Sequence, residues 1–149
     1  MTGSNFSSWY NQSEGTLFAE ADSAGGVTPP CFTSIDDTTT SNIIQIRRAT
    51  SNTLASFKMV SSGGSIDVTL ANGSAFGFNK QAAAFKASDQ NAVSNGVLFT
   101  GITSITPMPT VTQMVLGNGA GSAYLNGHIK RLAFWPRRLS NSELQGITS

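Results

Sequence analysis

The chain has 149 residues, nine of them basic and eight acidic, and a formal net charge of +1 at neutral pH. This length suits one domain with one hydrophobic core, and the balanced charge lacks the basic excess typical of nucleic-acid-binding proteins. We expect no membrane insertion, because no apolar run could span a bilayer, and no signal peptide, because the N-terminus lacks basic and apolar regions. We therefore predict a single domain over residues 1–149, in which residues 1–8 form a flexible junction.

Strand and turn signals repeat along the chain, and its many Ser, Thr, Asn and Gly residues disfavour long helices. A period of two between apolar and polar residues indicates a half-buried strand. For example, Ala55, Phe57 and Met59 point to one side of a predicted strand, while Ser56 and Lys58 point to the other. The predicted strands are residues 14–20, 42–48, 53–60, 65–70, 75–87, 97–99, 111–116 and 128–135.

Some of these strands carry further detail. In residues 65–70, Asp67 and Thr69 are predicted to point outward, and Asn95-Gly96 marks a hairpin because this dipeptide tolerates positive φ angles. The alanine run at 82–84 could form a helix, but no capping residue opens it, which favours a strand. The alternation in residues 128–135 slips at Arg131-Leu132, which indicates a bulge or a strand covered on both faces.

One helix is predicted near the end of the chain. Ser140 and Glu143 have the spacing of a capping box, in which each side chain bonds to the other residue's backbone N–H. Leu144 and Ile147 would then point inward, giving a short helix over residues 140–147. Strands at this spacing, with turn signals between them, favour an all-β fold: a two-sheet antiparallel jelly-roll sandwich with one short C-terminal helix.

Two segments resemble a known family. Residues 125–145 (LNGHIKRLAFWPRRLSNSELQ) resemble the ending of concanavalin A-like, or laminin G-like, domains, in which Asn-Gly-x-Ile opens the final strand and aromatic-Pro-Arg-x-Leu-Ser leads into a short helix. Residues 9–18 (WYNQSEGTLF) resemble the opening of such domains in bacteriophage tail and virion proteins. Residues 27–110 match only in strand spacing. The resemblance implies a lectin/glucanase jelly roll on a phage particle, with the final strand beside the first.

Some members of this superfold are glucanases, which carry two or three carboxylates close together on one strand. One carboxylate acts as the acid and another as the nucleophile. Glu20 and Asp22 have the spacing of the first two, but Ala24 and Gly25 occupy the next positions. His128 is the only histidine, and no Gly-x-Ser-x-Gly nucleophile elbow is present. We therefore expect a protein that is not an enzyme.

The sequence also lacks the common patterns that bind cofactors and metals. The chain has no Cys/His cluster for zinc and no glycine-rich phosphate loop, so we predict no cofactor and no metal site. Calcium bound at a loop through Asp22, Asp36 and Asp37 stays open as an alternative. Cys31, the only cysteine, is expected to be a small buried apolar residue.

Four basic residues lie close together in the sequence: Lys130, Arg131, Arg137 and Arg138. Arg137 and Arg138 are candidate ligand-binding residues, because guanidinium groups pair with carboxylate or phosphate. The alternative interpretation of these arginines is a solvated strand end without a ligand. Arg47 and Arg48 allow the same two interpretations. Trp9 and Tyr10 are the other candidate ligand-binding residues, because such rings stack on sugars, although they also anchor subunit contacts.

Two functions remain for a module of this kind. The first is a tail-fibre or receptor-binding domain of a bacteriophage that contacts host surface glycan, and this is the one the resemblance favours. The second is a structural head-decoration or fibre-assembly protein that binds other virion proteins. Both imply a virion protein assembled in the host cytoplasm. We also expect a homo-oligomer, with a trimer favoured, because weak glycan sites need multivalency.

Overall fold

In the residues that the computed structural model describes, which are 1–23, 29–49, 54–70, 77–100, 102–119 and 123–149, ten strands form two antiparallel sheets. Sheet 1 consists, in spatial order, of β10 (Ile129–Trp135), β1 (Glu14–Ala21), β6 (Asn79–Lys86), β7 (Asp89–Ser94) and β8 (Val97–Leu98). Sheet 2 consists of β5 (Gly64–Leu70), β4 (Ala55–Ser61), β3 (Ile43–Arg48), β2 (Cys31–Asp36) and β9 (Gln113–Leu116). The predicted two-sheet antiparallel sandwich is confirmed.

The hydrophobic core lies between the two sheets, where alternate side chains of each strand meet. Leu17 and Phe85 of sheet 1 belong to the same buried cluster as Ile44, Phe57 and Met59 of sheet 2. The alternation predicted for β4 and β5 is therefore correct. It leaves the intervening polar side chains of both sheets on the outer faces of the sandwich.

A second buried cluster lies on the outer face of sheet 1, under the helix α2 (Asn141–Thr148). Leu144 of this helix packs with Phe18, Ala82 and Val93 of the sheet. The predicted capping box is confirmed: the Ser140 side chain accepts a hydrogen bond from the Glu143 backbone, and the Glu143 side chain accepts one in return. No helix among the described residues is long and apolar enough to cross a membrane.

The final strand lies beside the first, as the family resemblance implies. β10 pairs antiparallel with β1, and the register shifts between Glu20 and Ala21, which leaves Lys130 as the extra residue. This bulge lies one position before the slip predicted at Arg131. The alanine run at 82–84 is a strand, as predicted. Residue 53 and residues 75–76 of the predicted strands lie outside the described residues.

Two strands and one helix were not predicted. All six residues of β2 are buried, so the strand shows no alternation for the sequence to reveal. β7 is polar in composition, yet its Gln90 is buried because it bonds to both backbone groups of Ile105. The helix α1 (Ser4–Ser7) is a single turn whose N-cap, Gly3, contributes no side-chain hydrogen bond.

Within residues 1–8, Phe6 packs against the sandwich and the other seven residues are exposed, so the flexible junction stays a prediction. Phe6 belongs to the main core and is 3% exposed. The Met1 ammonium donates to Met114 O at 2.7 Å, and the Met114 backbone N–H donates to Met1 O at 2.9 Å. The segment therefore extends the β9 edge of sheet 2. Its polar composition concealed this, because one buried ring and backbone hydrogen bonds hold it.

Candidate functional site

Trp9 and Tyr10 lie in a cluster of four aromatic rings at one edge of the sandwich. The Trp9 ring meets Phe134 of β10 edge-to-face, with centroids 5.0 Å apart, and Tyr10 stacks on Phe6 at 4.6 Å. The cluster borders a groove of about 630 Å³, here called the aromatic groove, between the free edge of β10 and the Met1–Met114 edge of sheet 2. Its lining includes Trp9, Tyr10, Met114, Leu132, Phe134 and Pro136.

The polar atoms of these two rings face different surroundings. The Trp9 indole donates to Asn5 O at 2.8 Å. The Tyr10 hydroxyl is buried and has no hydrogen-bond partner among the described residues, and burial raises the pKa of this phenol. Both rings are half-buried. The aromatic groove thus offers a mainly apolar surface with few polar groups to orient a sugar.

Arg137 and Arg138 are held by ion pairs. Arg137 Nη2 lies 2.9 Å from Glu143 Oε1, and this contact, together with the Ser140 cap, lowers the pKa of Glu143 to about 2. Arg138 Nη2 lies 2.9 Å from Asp89 Oδ1, and its side chain is 13% exposed. Neither arginine is among the described residues that line the aromatic groove. They fasten the segment after β10 to α2 and β7, so the alternative of a structural role accounts for their contacts.

The four basic residues that are close in sequence do not form one patch. Lys130 and Arg131 lie at the start of β10, where Lys130 Nζ bonds to Glu20 Oε1 at 2.9 Å. Arg137 lies beyond the other end of that strand. Because a strand rises by about 3.3 Å per residue, roughly 20 Å separates the two pairs along the chain.

The outer face of sheet 2 carries charged side chains on three adjacent strands. Arg47 Nη2 of β3 lies 2.6 Å and 2.7 Å from the two carboxylate oxygens of Asp67 of β5. Lys58 of β4, directly opposite Asp67, has its Nζ 3.9 Å from Asp67 Oδ2. We call this surface the charged face and define it by Arg47, Lys58 and Asp67 together with the neighbouring Gln45 and Ser56.

The two arginines at the end of β3 therefore have separate environments. Arg47 points outward onto the charged face, whereas Arg48 is fully buried and donates to Gly77 O at 3.1 Å. Burial lowers the pKa of the Arg48 guanidinium. Of this pair, Arg47 is the one that faces the outside of the sandwich.

A loop over residues 117–119 and 123–125 borders the charged face. The Cys31 backbone N–H donates to Ala123 O at 3.2 Å, and a Cβ added at Gly119 would lie 2.9 Å from Gln45 Nε2. The loop backbone therefore packs against the sheet beside Gln45. Tyr124, the next residue along, is 66% exposed. Its neighbour Ala123 bonds to Cys31, which is the strand partner of Arg47.

The three candidate calcium ligands are engaged by hydrogen-bond donors. Asp36 is the last residue of β2 and is buried, not in a loop as predicted, and it accepts from Ser34 Oγ at 2.6 Å. Hydrogen bonds, first from Thr39 and then from Asn42, lower the pKa of Asp37. Asp22 Oδ1 accepts from the His128 backbone N–H at 2.5 Å. In the part of the chain that the structure describes, no three potential metal ligands lie together.

Glu20 and Asp22, the two carboxylates with glucanase-like spacing, are each bound to another side chain or backbone group. The hydrogen bond from Lys130 lowers the pKa of Glu20, which is 6% exposed on the outer face of sheet 1. Asp22 lies after β1 and is bound to His128. The two carboxylates thus have separate partners. Cys31 is fully buried, as predicted, and burial raises the pKa of its thiol to about 12.

The sequence did not single out Lys58 and Asp67. Their outward direction was predicted from the alternation, but their pairing across β4 and β5 depends on the register of the hairpin. Tyr124 was also missed. Lys58 and Asp67 could have been found from their positions, since each lies three residues from the turn at residues 61–64, one before it and one after it.

The strand order and pairing define a jelly-roll fold of the lectin-like type. A carbohydrate-binding module (CBM40) of the Ruminococcus gnavus IT-sialidase superposes with a TM-score of 0.72 and 14% identity, covering 93% of this chain and 84% of that one. The same module bound to α2,3-sialyllactose gives a TM-score of 0.76 and 13% identity, with the same coverage. Domains LG4–5 of the mouse laminin α1 chain give 0.66 and 8% identity, covering 87% of this chain and 37% of that one. No family model matches the chain, and no curated protein is significantly similar in sequence.

Proposed function

We propose that this chain is a non-catalytic carbohydrate-binding module that holds an acidic glycan on its charged face. The observation that carries the proposal is the cluster of Arg47, Lys58 and Asp67 on the outer face of sheet 2, where Asp67 is 46% and Lys58 29% exposed. The solved structure of a sialidase module of the same fold with α2,3-sialyllactose, a glycan that bears a carboxylate, supports the choice of ligand.

Lys58 is the residue best placed to meet an acidic sugar. Its ammonium lies 3.9 Å from Asp67, which is beyond hydrogen-bond distance, and it makes no hydrogen bond among the described residues. Its three donors can therefore turn to a ligand. Arg47 is fixed by Asp67, which orients a planar guanidinium toward the same region. Asp67, which is 46% exposed, can accept from sugar hydroxyls.

Tyr124 adds a contact that charged groups cannot supply. Sugars present apolar C–H faces as well as hydroxyls, and an exposed aromatic ring packs against such faces. Tyr124 is 66% exposed, and it follows Ala123, whose carbonyl bonds to Cys31, the strand partner of Arg47. A shallow site of this kind binds weakly, and useful affinity would come from several copies.

We place this module on a bacteriophage particle, as a homotrimeric tail-fibre or receptor-binding domain that contacts host surface glycan. The support is the resemblance of residues 9–18 and 125–145 to phage virion proteins. A phage adhesin that binds a repeated surface glycan gains avidity from a trimer. The mass of the purified protein by light scattering tests the oligomer, and immunogold labelling of intact particles tests the location.

The glycan proposal is tested by titration with 3′-sialyllactose and with lactose, which lacks the acidic sugar. We expect binding of 3′-sialyllactose alone. Lys58→Gln is expected to weaken it about five-fold, since a half-exposed charged contact contributes roughly 1 kcal/mol. Lys86→Gln, at the exposed end of β6 on the other sheet, is the charge-matched control and should bind like the parent. Equal affinity for lactose, or an unchanged Lys58→Gln variant, would contradict the proposal.

A structural virion role is the second candidate, and the aromatic groove is the observation that favours it. The groove is mainly apolar and lies along a strand edge, which suits a protein segment better than a sugar. Trp9→Ala should then weaken attachment to purified phage particles, while Tyr124→Ala should not. The reverse pattern, with adsorption to host cells lost in Tyr124→Ala, supports the adhesin.

A further inference from the structure

Three cations surround one carboxylate on the outer face of sheet 1. In the strand register, Glu20 of β1 lies opposite Arg131 of β10 on one side and opposite Lys80 of β6 on the other. Lys130, the extra residue of the bulge, reaches the same carboxylate. We call this surface the basic patch and define it by Lys80, Lys130 and Arg131 together with Phe78. It lies on the opposite side of the sandwich from the charged face.

The basic patch keeps a positive excess at the surface. Glu20 is 6% exposed, so the cations cover it, and the pKa of Glu20 is lowered first by the Lys130 hydrogen bond and also by the charges of Lys80 and Arg131. Of the three cations, Lys130 is bonded to Glu20 and Lys80 to a Ser149 oxygen, which leaves Arg131 as the cation with no acceptor among the described residues. Arg131 has no ion pair among the described residues, and its guanidinium lies 5.6 Å from the Phe18 ring centroid. Lys80 Nζ donates to the Ser149 carbonyl.

An aromatic ring is exposed within the same surface. Phe78 is 45% exposed, and Lys130 Nζ lies 5.6 Å from the centroid of its ring. An exposed phenyl group adds apolar surface to the outside of the protein without adding to its core, and this one lies beside an ammonium group. Such a combination is suited to a partner that has apolar faces and negative charges together.

The cations of the basic patch lie on neighbouring strands. Lys80 and Arg131 lie on the two strands that flank β1, so their backbones are roughly 10 Å apart. Both side chains act on the Glu20 carboxylate between them, so a single anionic group seated above Glu20 can meet them. A chain with repeated negative charges can contact both.

We propose that the basic patch is a second glycan-binding site, which takes an acidic polysaccharide with repeated anionic groups. The sugar rings supply the faces that pack on Phe78, and successive anionic groups meet Lys80 and Arg131. Because the patch and the charged face lie on opposite sides of the sandwich, the proposal does not depend on binding of a short glycan at the charged face.

Dextran sulfate and neutral dextran of equal length, together with a single-stranded DNA oligomer, are the probes. We expect the parent to bind dextran sulfate at low salt, with an affinity that falls as salt rises, and to bind neutral dextran and DNA much more weakly. Arg131→Gln and Lys80→Gln should each lower the affinity for dextran sulfate about five-fold. Lys86→Gln, which removes the same charge from the exposed end of β6, should change it less than two-fold.

The outcomes that overturn the proposal are distinct. An equal loss in Lys86→Gln would show that overall charge drives binding, and equal affinity for DNA would show that the patch binds any polyanion rather than an acidic polysaccharide. A parent that does not bind dextran sulfate at low salt would exclude the site. Phe78→Ala separates the ring from the charges: we expect weaker binding of dextran sulfate at high salt, where the apolar contact persists, and an unchanged value would also contradict the proposal.

Discussion

Replacement of Phe6 by alanine tests whether the first eight residues belong to the folded domain. The Phe6 ring is 3% exposed and packs 4.6 Å from Tyr10 and 5.1 Å from Trp9, between ring centroids. Removal of a buried phenyl group costs about 3–5 kcal/mol from lost burial and the cavity left behind. A domain of this size is stable by about 5–15 kcal/mol, so we expect the Phe6→Ala variant to remain folded.

The assay is urea denaturation of Phe6→Ala and of Phe78→Ala, which removes the same ring from a surface position. We expect a loss of about 3–5 kcal/mol in the free energy of unfolding for Phe6→Ala and less than about 1 kcal/mol for Phe78→Ala. The corresponding fall in Tm for Phe6→Ala is roughly 10–15 °C. A loss for Phe6→Ala no greater than that for Phe78→Ala would refute the reasoning, because it would show that residues 1–8 are a dispensable junction.

Three further predictions concern titration, reactivity and chemistry. Hydrogen bonds from Arg137 and Ser140 lower the pKa of Glu143 to about 2 from 4.5, so its stabilising effect is present above about pH 4.5 and is lost as the pH falls toward 2. Glu143→Gln should therefore lose less stability than the parent in urea melts between about pH 5 and pH 3, and an unchanged pH slope would contradict this. Burial raises the pKa of Cys31 to about 12, so iodoacetamide near pH 8 should label it only in denaturant; rapid labelling of the folded protein would count against its burial. Release of reducing ends from polysaccharides should stay at the blank level, and release that disappears in Glu20→Gln would show that the chain is an enzyme.

The sequence predicts most strands of this fold because half-buried strands and capped helices leave local patterns. β4 and β5 carry apolar side chains at every second position facing the core, and Ser140 and Glu143 form a capping box that needs only local contacts. β2 was missed because both of its faces are covered, which removes the alternation. The packing of Phe6 was missed because it is the one buried ring of an exposed, polar segment.

The candidate site is less accessible to sequence reasoning than the fold. The outward direction of Lys58 and Asp67 follows from the period of two, but their proximity to Arg47 requires the register of three strands. Arg137 and Arg138 attracted attention as a local cluster of charge, whereas their partners, Glu143 and Asp89, come from other elements of the fold. Charge in the sequence therefore marks candidates, and the ion-pair partners of each arginine become visible only in the tertiary structure.

Backbone amide chemical shifts, followed during titration with 3′-sialyllactose, locate the surface on which this protein binds an acidic glycan. We predict that the largest changes fall on Arg47, Lys58 and Asp67 and on the loop that carries Tyr124. Lactose should produce no such changes. Shifts that are confined to the aromatic groove around Trp9, or no shifts with 3′-sialyllactose at any concentration, would contradict the assignment of the charged face.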